Sequence, residues 1–198
     1  MVLSVDPGLS NYGYAVWNEY GEICDTGLLQ TKKTKRKNIL VADDMVHRMA
    51  RLTVDLEWVI RAFKIKAVIG ERPGFASQNS AAMRDMSASM AVSVAVFTML
   101  NLSMEWATPE EVKVAFTGKK TASKKEMMIK VCKRHSWNIT TKRVNFKNSK
   151  QLKRLDNIYH PMGVPMGANK FEHIADAVAA AHALKNGNII KMYLNKRR

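Results

Sequence analysis

The sequence predicts an α/β domain, on three observations. Val2-Leu3-Ser4-Val5 and Ala67-Val68-Ile69-Gly70 are apolar runs of strand length, and an acid closes each, Asp6 and Glu71. Strand-like stretches at Tyr12–Trp17 and Glu22–Gln30 flank Asn18-Glu19-Tyr20-Gly21, which marks a hairpin. Long segments elsewhere carry apolar residues at helical spacing.

In chain order, the first strand ends at Asp6-Pro7-Gly8, a turn signal. The hairpin follows, and then Lys32–Lys37 packs five basic residues into six positions, as a solvated loop does. From Leu40 to Phe63 a helix is expected, because Val41, Met45, Met49, Leu52, Leu56, Val59, Ile60 and Phe63 share one face. The strand closed by Glu71 comes next. A second long helix is expected over Ser80–Leu100, rich in Ala, Met and Ser, with small residues that allow close packing inside the subunit or across a dimer.

Thr108-Pro109-Glu110-Glu111 is a helix start with a capping box, and Ser123-Lys124-Lys125-Glu126 repeats the pattern. Between them, Phe116–Thr121 is a basic loop with one glycine and without the G-x-x-x-x-G-K-[ST] spacing of a nucleotide-binding loop. Ser136–Asn169, broken by asparagines, prolines and glycines, is expected to be largely irregular. A last helix spans Glu172–Leu184, ends near Asn186-Gly187 and leaves a basic tail. No linker or internal repeat divides residues 1–198, so one domain is expected.

Composition narrows the function. The 198 residues are 46% hydrophobic, and 32 Lys and Arg against 17 Asp and Glu give a formal charge of +15. The pI near 9.9 favours a polyanionic partner, nucleic acid before an anionic membrane. Cys24 and Cys132 make neither a disulfide framework nor a zinc cluster and fit a reducing compartment. The N-terminus does not read as a signal peptide, and the apolar stretch Ala88–Leu102 is too short to span a bilayer. A cytoplasmic protein without a membrane partner is expected.

Asp6 and Glu71 close buried strands, and Asp176 lies on the apolar last helix with His173 one turn before it. Adjacent strand ends in a mixed sheet can bring the acids together. Gathered carboxylates resist ionisation unless a cation lies between them, and a hard divalent ion such as Mg²⁺ does this. Such a site activates water and stabilises in-line attack on a phosphodiester. Each residue also has a plainer reading: Asp6 as a turn residue, Glu71 as an ion-pair partner of Arg72, His173 as a hydrogen-bonded core histidine.

Four blocks taken together are more specific. Leu3-Ser4-Val5-Asp6-Pro7-Gly8-Leu9-Ser10-Asn11-Tyr12-Gly13-Tyr14-Ala15 resembles the opening of the RuvC family of Holliday junction resolvases. Glu71-Arg72-Pro73-Gly74-Phe75 followed by Asn79-Ser80-Ala81 is similar to its second block, and Pro109–Lys113, Thr117-Gly118 and Ala122–Lys124 to its basic middle. His173-Ile174-Ala175-Asp176-Ala177 completes the set in order.

The resemblance implies an RNase H-like fold, a mixed sheet flanked by helices, and a homodimer that hydrolyses DNA at four-way junctions. It implies that Asp6, Glu71, His173 and Asp176 are catalytic and bind metal: two Mg²⁺ per site, with Mn²⁺ also supporting activity and no nucleotide cofactor. Phe75 matches the aromatic near the junction centre, although Pro73-Gly74 departs from the family's spacing there. Residues 133–170 form a basic insertion relative to the cellular enzymes. That departure fits a bacteriophage or viral relative, in host cytoplasm, and broadens the expected substrates to other branched DNA.

From Lys113 to Arg154 there are fourteen Lys or Arg and one acid, Glu126. Lys113, Lys119, Lys120, Lys124 and Lys125 are therefore candidate DNA phosphate contacts. Trp137 and Phe146 are aromatic residues within this stretch that could stack on a base, or belong to the core. A non-catalytic architectural protein that binds DNA junctions is the alternative reading, and an RNA-cleaving relative is a third.

Overall fold

The computed structural model describes residues 1–34, 38–72, 74, 80–144 and 154–194. Strands β1 (Val2–Asp6), β2 (Asn11–Trp17) and β3 (Ile23–Gln30) form an antiparallel meander. β1 also pairs in parallel with β4 (Ala67–Glu71), and β4 with β5 (Ser103–Ala107), giving the order β3-β2-β1-β4-β5. The sheet is therefore mixed, with β1 and β4 at its centre.

Helices α1 (Val41–Ala62) and α2 (Ser80–Met99) cover one face. Helices α3 (Pro109–Thr117), α4 (Lys124–Arg134), α5 (Ala168–Ala183) and α6 (Asn188–Tyr193) cover the other. Leu3, Val5 and Val68 pack towards α1 and α2, whereas Val2, Ala67 and Ile69 pack towards α5. Side chains alternate along a strand, so the next step of the same register turns both Asp6 and Glu71 towards α5.

The predicted helices form within a few residues of their expected limits, although α5 starts at Ala168, four residues early. Both capping boxes close: the Thr108 hydroxyl accepts from the Glu111 N–H at 3.2 Å while Glu111 accepts from the Thr108 N–H at 2.7 Å. Ser123 and Glu126 repeat the exchange at 3.2 and 2.7 Å. Each cap is worth about 1 kcal/mol. The Ser123 cap fixes the α4 end of the basic loop, which leaves α3 through Gly118 at φ +79°.

The described residues 136–144 and 154–169 correct the expectation of irregular chain. β6 (Asn138–Val144) and β7 (Arg154–His160) pair antiparallel, and β8 (Met166–Gly167) completes a second sheet. The strand residues Ile139, Thr140, Thr141 and Val144 are β-branched. The prolines and Gly163 fall in the β7–β8 connection, where Pro161–Gly163 make a 3-10 turn, and leave the strands uninterrupted. Tyr159 is buried and stacks on Phe171 of α5, with ring centroids 4.6 Å apart and planes at 13°.

β5 and α6 were not expected, and each explains the other. Glu105 of β5 accepts the Asn188 and Ile189 N–H groups of α6 at 2.7 and 3.2 Å. A strand carrying a charged residue mid-run and a helix of six residues are both weak periodic signals.

Candidate active site

Three elements converge at the C-terminal ends of the central strands. β1 and β4 run in register, Val5 beside Gly70, so Asp6 and Glu71 leave adjacent strands side by side. α5 crosses above them and supplies His173 and Asp176. Two features let it come so close. Its sheet side carries Ala175, Ala179 and Ala180, all fully buried. On β2, Gly13 lies opposite Asp6, and a Cβ there would come within 2.2 Å of the His173 carbonyl oxygen. The absence of a side chain at Gly13 thus brings the backbone of His173 onto the sheet beside Asp6.

The imidazole is consequently fixed: His173 Nδ1 donates to Asp6 Oδ2 at 2.7 Å. Burial works against the imidazolium of His173, but the Asp6 hydrogen bond and the neighbouring charges of Asp6, Glu172 and Asp176 prevail and hold its pKa above the ordinary value. Burial, reinforced by Asp176 and Asp6, pushes Glu71 up to about 9, against the pull of Lys113 and Lys124. Burial and the charges of Asp6 and Glu172 push Asp176 up to about 8. These acids share one field, and in the absence of a cation burial and mutual repulsion favour the protonated forms of Glu71 and Asp176.

Glu172 is a fourth carboxylate, absent from the candidates read in the sequence. It lies one helical turn before Asp176 and is ion-paired with Lys124 of α4. Its signal was in the chain: Glu172 and Asp176 are i and i+4 on one helix face. Burial alone would lower the Lys124 pKa, but the bond to Glu172 and the surrounding acids raise it. Lys124 stays charged at the rim.

The other candidates separate by position. Lys113 and Lys124 lie within electrostatic reach of Glu71. Lys119 and Lys120 are exposed on the α3–α4 loop, where Lys120 pairs with Glu110 at 3.4 Å, and Lys125 is exposed on α4. Phe75 and Phe146 lie outside the described residues. Trp137 is a core residue: half-buried, it packs edge-on to Phe171 at 6.1 Å and beside His135 at 5.3 Å.

Among the described residues, no group of three or more His, Cys, Asp or Glu side chains is already placed to hold a metal ion. The donor chemistry nevertheless fits a hard divalent ion. Carboxylate oxygens with one imidazole are ligands for Mg²⁺ or Mn²⁺, and such an ion would offset the burial and repulsion that raise the pKa values of Glu71 and Asp176. No helix among the described residues is long and apolar enough to cross a membrane.

Comparison with known proteins places the fold and the family. The chain is 26% identical over 131 residues to the crossover junction endodeoxyribonuclease RuvC of Brachyspira hyodysenteriae, covering 65% of this chain and 76% of the relative. The fold matches Thermus thermophilus RuvC with a TM-score of 0.59 at 19% identity, over 92% of this chain and 91% of the other. The same protein in complex with a Holliday junction substrate gives 0.59 at 17%, over 92% and 90%. The yeast mitochondrial Holliday junction resolvase gives 0.51 at 14%, over 98% and 84%. These structures establish the RuvC-type, RNase H-like fold. Residues 2–161 match the family described as crossover junction endodeoxyribonuclease RuvC, whose members are metal-dependent nucleases. With that match over most of its length, the chain belongs to the RuvC family and is an endonuclease that resolves Holliday junctions.

Proposed function

We propose that Asp6, Glu71 and Asp176 hold the metal with His173 as a fourth ligand or its orienting partner, and that cleavage proceeds at this centre. The observation that carries the reading is the meeting of two strand-end acids with Asp176 and His173 beneath a basic rim. Two Mg²⁺ ions, or Mn²⁺, would supply Lewis acidity and an activated water. The chain's own groups do the rest. Asp6 orients the imidazole, Glu71 and Asp176 exchange protons for the cation, and Lys113 and Lys124 receive the phosphate.

The remaining basic residues, Lys119, Lys120 and Lys125, contact the DNA backbone further out, and Phe75 stacks near the branch point. One domain spanning residues 1–198 acts as a homodimer on two opposing strands in the cytoplasm, with the basic segment 133–170 extending the DNA contact to forks and flaps. Two copies match the two nicks that a junction requires.

The test is cleavage of an end-labelled immobile four-way junction beside linear duplex, Y-fork and flap, with Mg²⁺, Mn²⁺ or EDTA. Asp6→Asn should reduce nicking about 10³-fold or more, because a metal ligand carrying several kcal/mol of transition-state stabilisation is lost. Junction binding in EDTA should be retained or tighten, since a negative charge near phosphate is removed. Full cleavage by Asp6→Asn would overturn the site assignment. Tight binding without nicks by the wild-type protein in either metal would favour the architectural reading.

A further inference from the structure

We propose that the cleft between the end of β3 and the first half of α1 is a second docking site for the DNA sugar–phosphate backbone, on the flank of the acidic centre opposite the α3–α4 loop. This rests on the reading that the centre cuts DNA.

The cleft is built around a buried arginine. Arg48 is 4% exposed, and its guanidinium is fixed from three directions. It donates to the Thr31 hydroxyl at 3.0 Å, to the Ser10 hydroxyl at 2.7 Å and to Asp85 at 3.4 Å. α1 is thereby tied to the loop that follows Asp6, to the end of β3 and to α2. Such a group has little rotamer freedom left to lose when a ligand arrives.

Two adjoining cavities of about 430 and 460 Å³ open on Arg48 and share Thr34, Ile39 and Asp44. Their walls add Lys32, Lys33, Arg51 and Arg84, so five cations face two acids. Both acids are engaged. Asp85 meets Arg48 and, at 3.7 Å, Lys33, while Asp44 accepts the Thr34 N–H at 2.7 Å. Arg51 is bound one turn along α1 to Asp55 at 2.9 Å, an exposed pair that a phosphate can displace at small cost. Among the described residues, the walls contain no Phe, Tyr or Trp on which a base could stack. The chemistry therefore selects phosphate, and polymer backbone over a nucleobase.

Position makes the phosphate part of the same DNA. Gln30, on the cavity wall, accepts from Lys170 at 3.2 Å and donates to Asn11 at 2.8 Å. Lys170 stands three residues before His173 on α5. The cleft thus reaches the acidic centre through one lysine. In the sheet order β3-β2-β1-β4-β5, the cleft lies at the β3 edge, the acids lie at the middle, and the chain enters α3 from β5 at the far edge. A backbone crossing the acids meets cations on both sides.

Salt dependence of binding provides the test. Junction binding in EDTA would be followed by fluorescence anisotropy from ~50 to ~300 mM salt, the range in which counterion release dominates. Lys32→Ala/Arg51→Ala would be compared with wild type and with Arg61→Ala/Lys66→Ala. The control pair removes the same charge at the opposite end of the sheet, in the last turn of α1 and just before β4. The cleft pair should make the slope of log K against log salt shallower by about 1.8, two phosphate contacts at about 0.9 each, while the control keeps the wild-type slope. Equal slopes for the cleft pair and wild type, or equal losses in both pairs, would overturn the proposal. Failure of the wild-type protein to bind the junction at all would instead overturn the functional reading beneath it.

Discussion

Helix α5 carries two histidines nine residues apart, and its two ends treat them in opposite ways. Both rings are partly buried, and burial alone disfavours the imidazolium at each. At the N-terminal end Asp6, Glu172 and Asp176 surround His173, and its pKa rises. At the C-terminal end His182 meets the His135 ring, Nε2 to Nε2 at 3.2 Å, within a group of Trp17, Phe116 and Trp137. There burial and the positive charge of Arg134 push His182 down to about 3 and His135 to about 4. Desolvation is common to both ends, so the neighbouring charges decide. One end of the helix is built to attract a cation, and the other to exclude a proton.

The contrast breaks most readily at Gly13. Gly13→Ala places a methyl group against the His173 backbone, where no flexible side-chain end can give way. α5 must then lift at its N-terminal end. Displacing His173 and Asp176 by an ångström should cost about 10²-fold in junction cleavage. Stability should fall by about 1–3 kcal/mol as overpacking. The His135 and His182 ring resonances, read by NMR, should stay where they are. If they move as much as those of His173, the two ends are mechanically one and the contrast fails.

A smaller effect sharpens it. His173→Ala removes the proposed metal ligand, or the ring proposed to orient one, and should lower cleavage about 10–100-fold with little change in thermal midpoint. His182→Ala should do the reverse. It opens a cavity beneath Trp17 and Phe116 and should cost about 2 kcal/mol, while leaving cleavage per folded molecule unchanged. Comparable cleavage losses in both variants would make His182 part of the catalytic apparatus.

The two ends also differed in how far the sequence exposed them. Asp6 and Glu71 could be read because each closes an apolar run, and in-register parallel pairing turns equal strand ends into neighbours. The sequence put His173 and Asp176 on one helical turn, but it could not show that Gly13 is what presses that turn onto Asp6. That contact joins residues 160 positions apart. Arg48 was hidden for a related reason, since a lone arginine in an amphipathic helix looks like surface until Ser10, Thr31 and Asp85 enclose it. β6 and β7 were missed because turn-forming residues around them outweighed short β-branched runs. His135 and His182 carried no local pattern at all; their pairing exists only in the folded chain.

The smallest effect concerns acid stability. The unfolded chain protonates His135 and His182 near the ordinary 6.5, whereas the folded chain resists until about 4 and about 3. Below 6.5 the unfolded state therefore binds more protons, and stability from this pair is complete above that value and drains away as pH falls through about 4 and about 3. Glu71 and Asp176 act in the opposite sense, because their raised pKa values favour the folded state on acidification in the absence of metal. The wild-type curve alone mixes the two. The difference between wild type and His182→Gln, measured by urea unfolding in EDTA, cancels the acids and leaves the imidazole. That difference should move by about 1–2 kcal/mol against the wild type between pH 7 and pH 5. A flat difference would mean that His182 accepts its proton as readily folded as unfolded. The C-terminal end of α5 would then be no more hostile to charge than solvent.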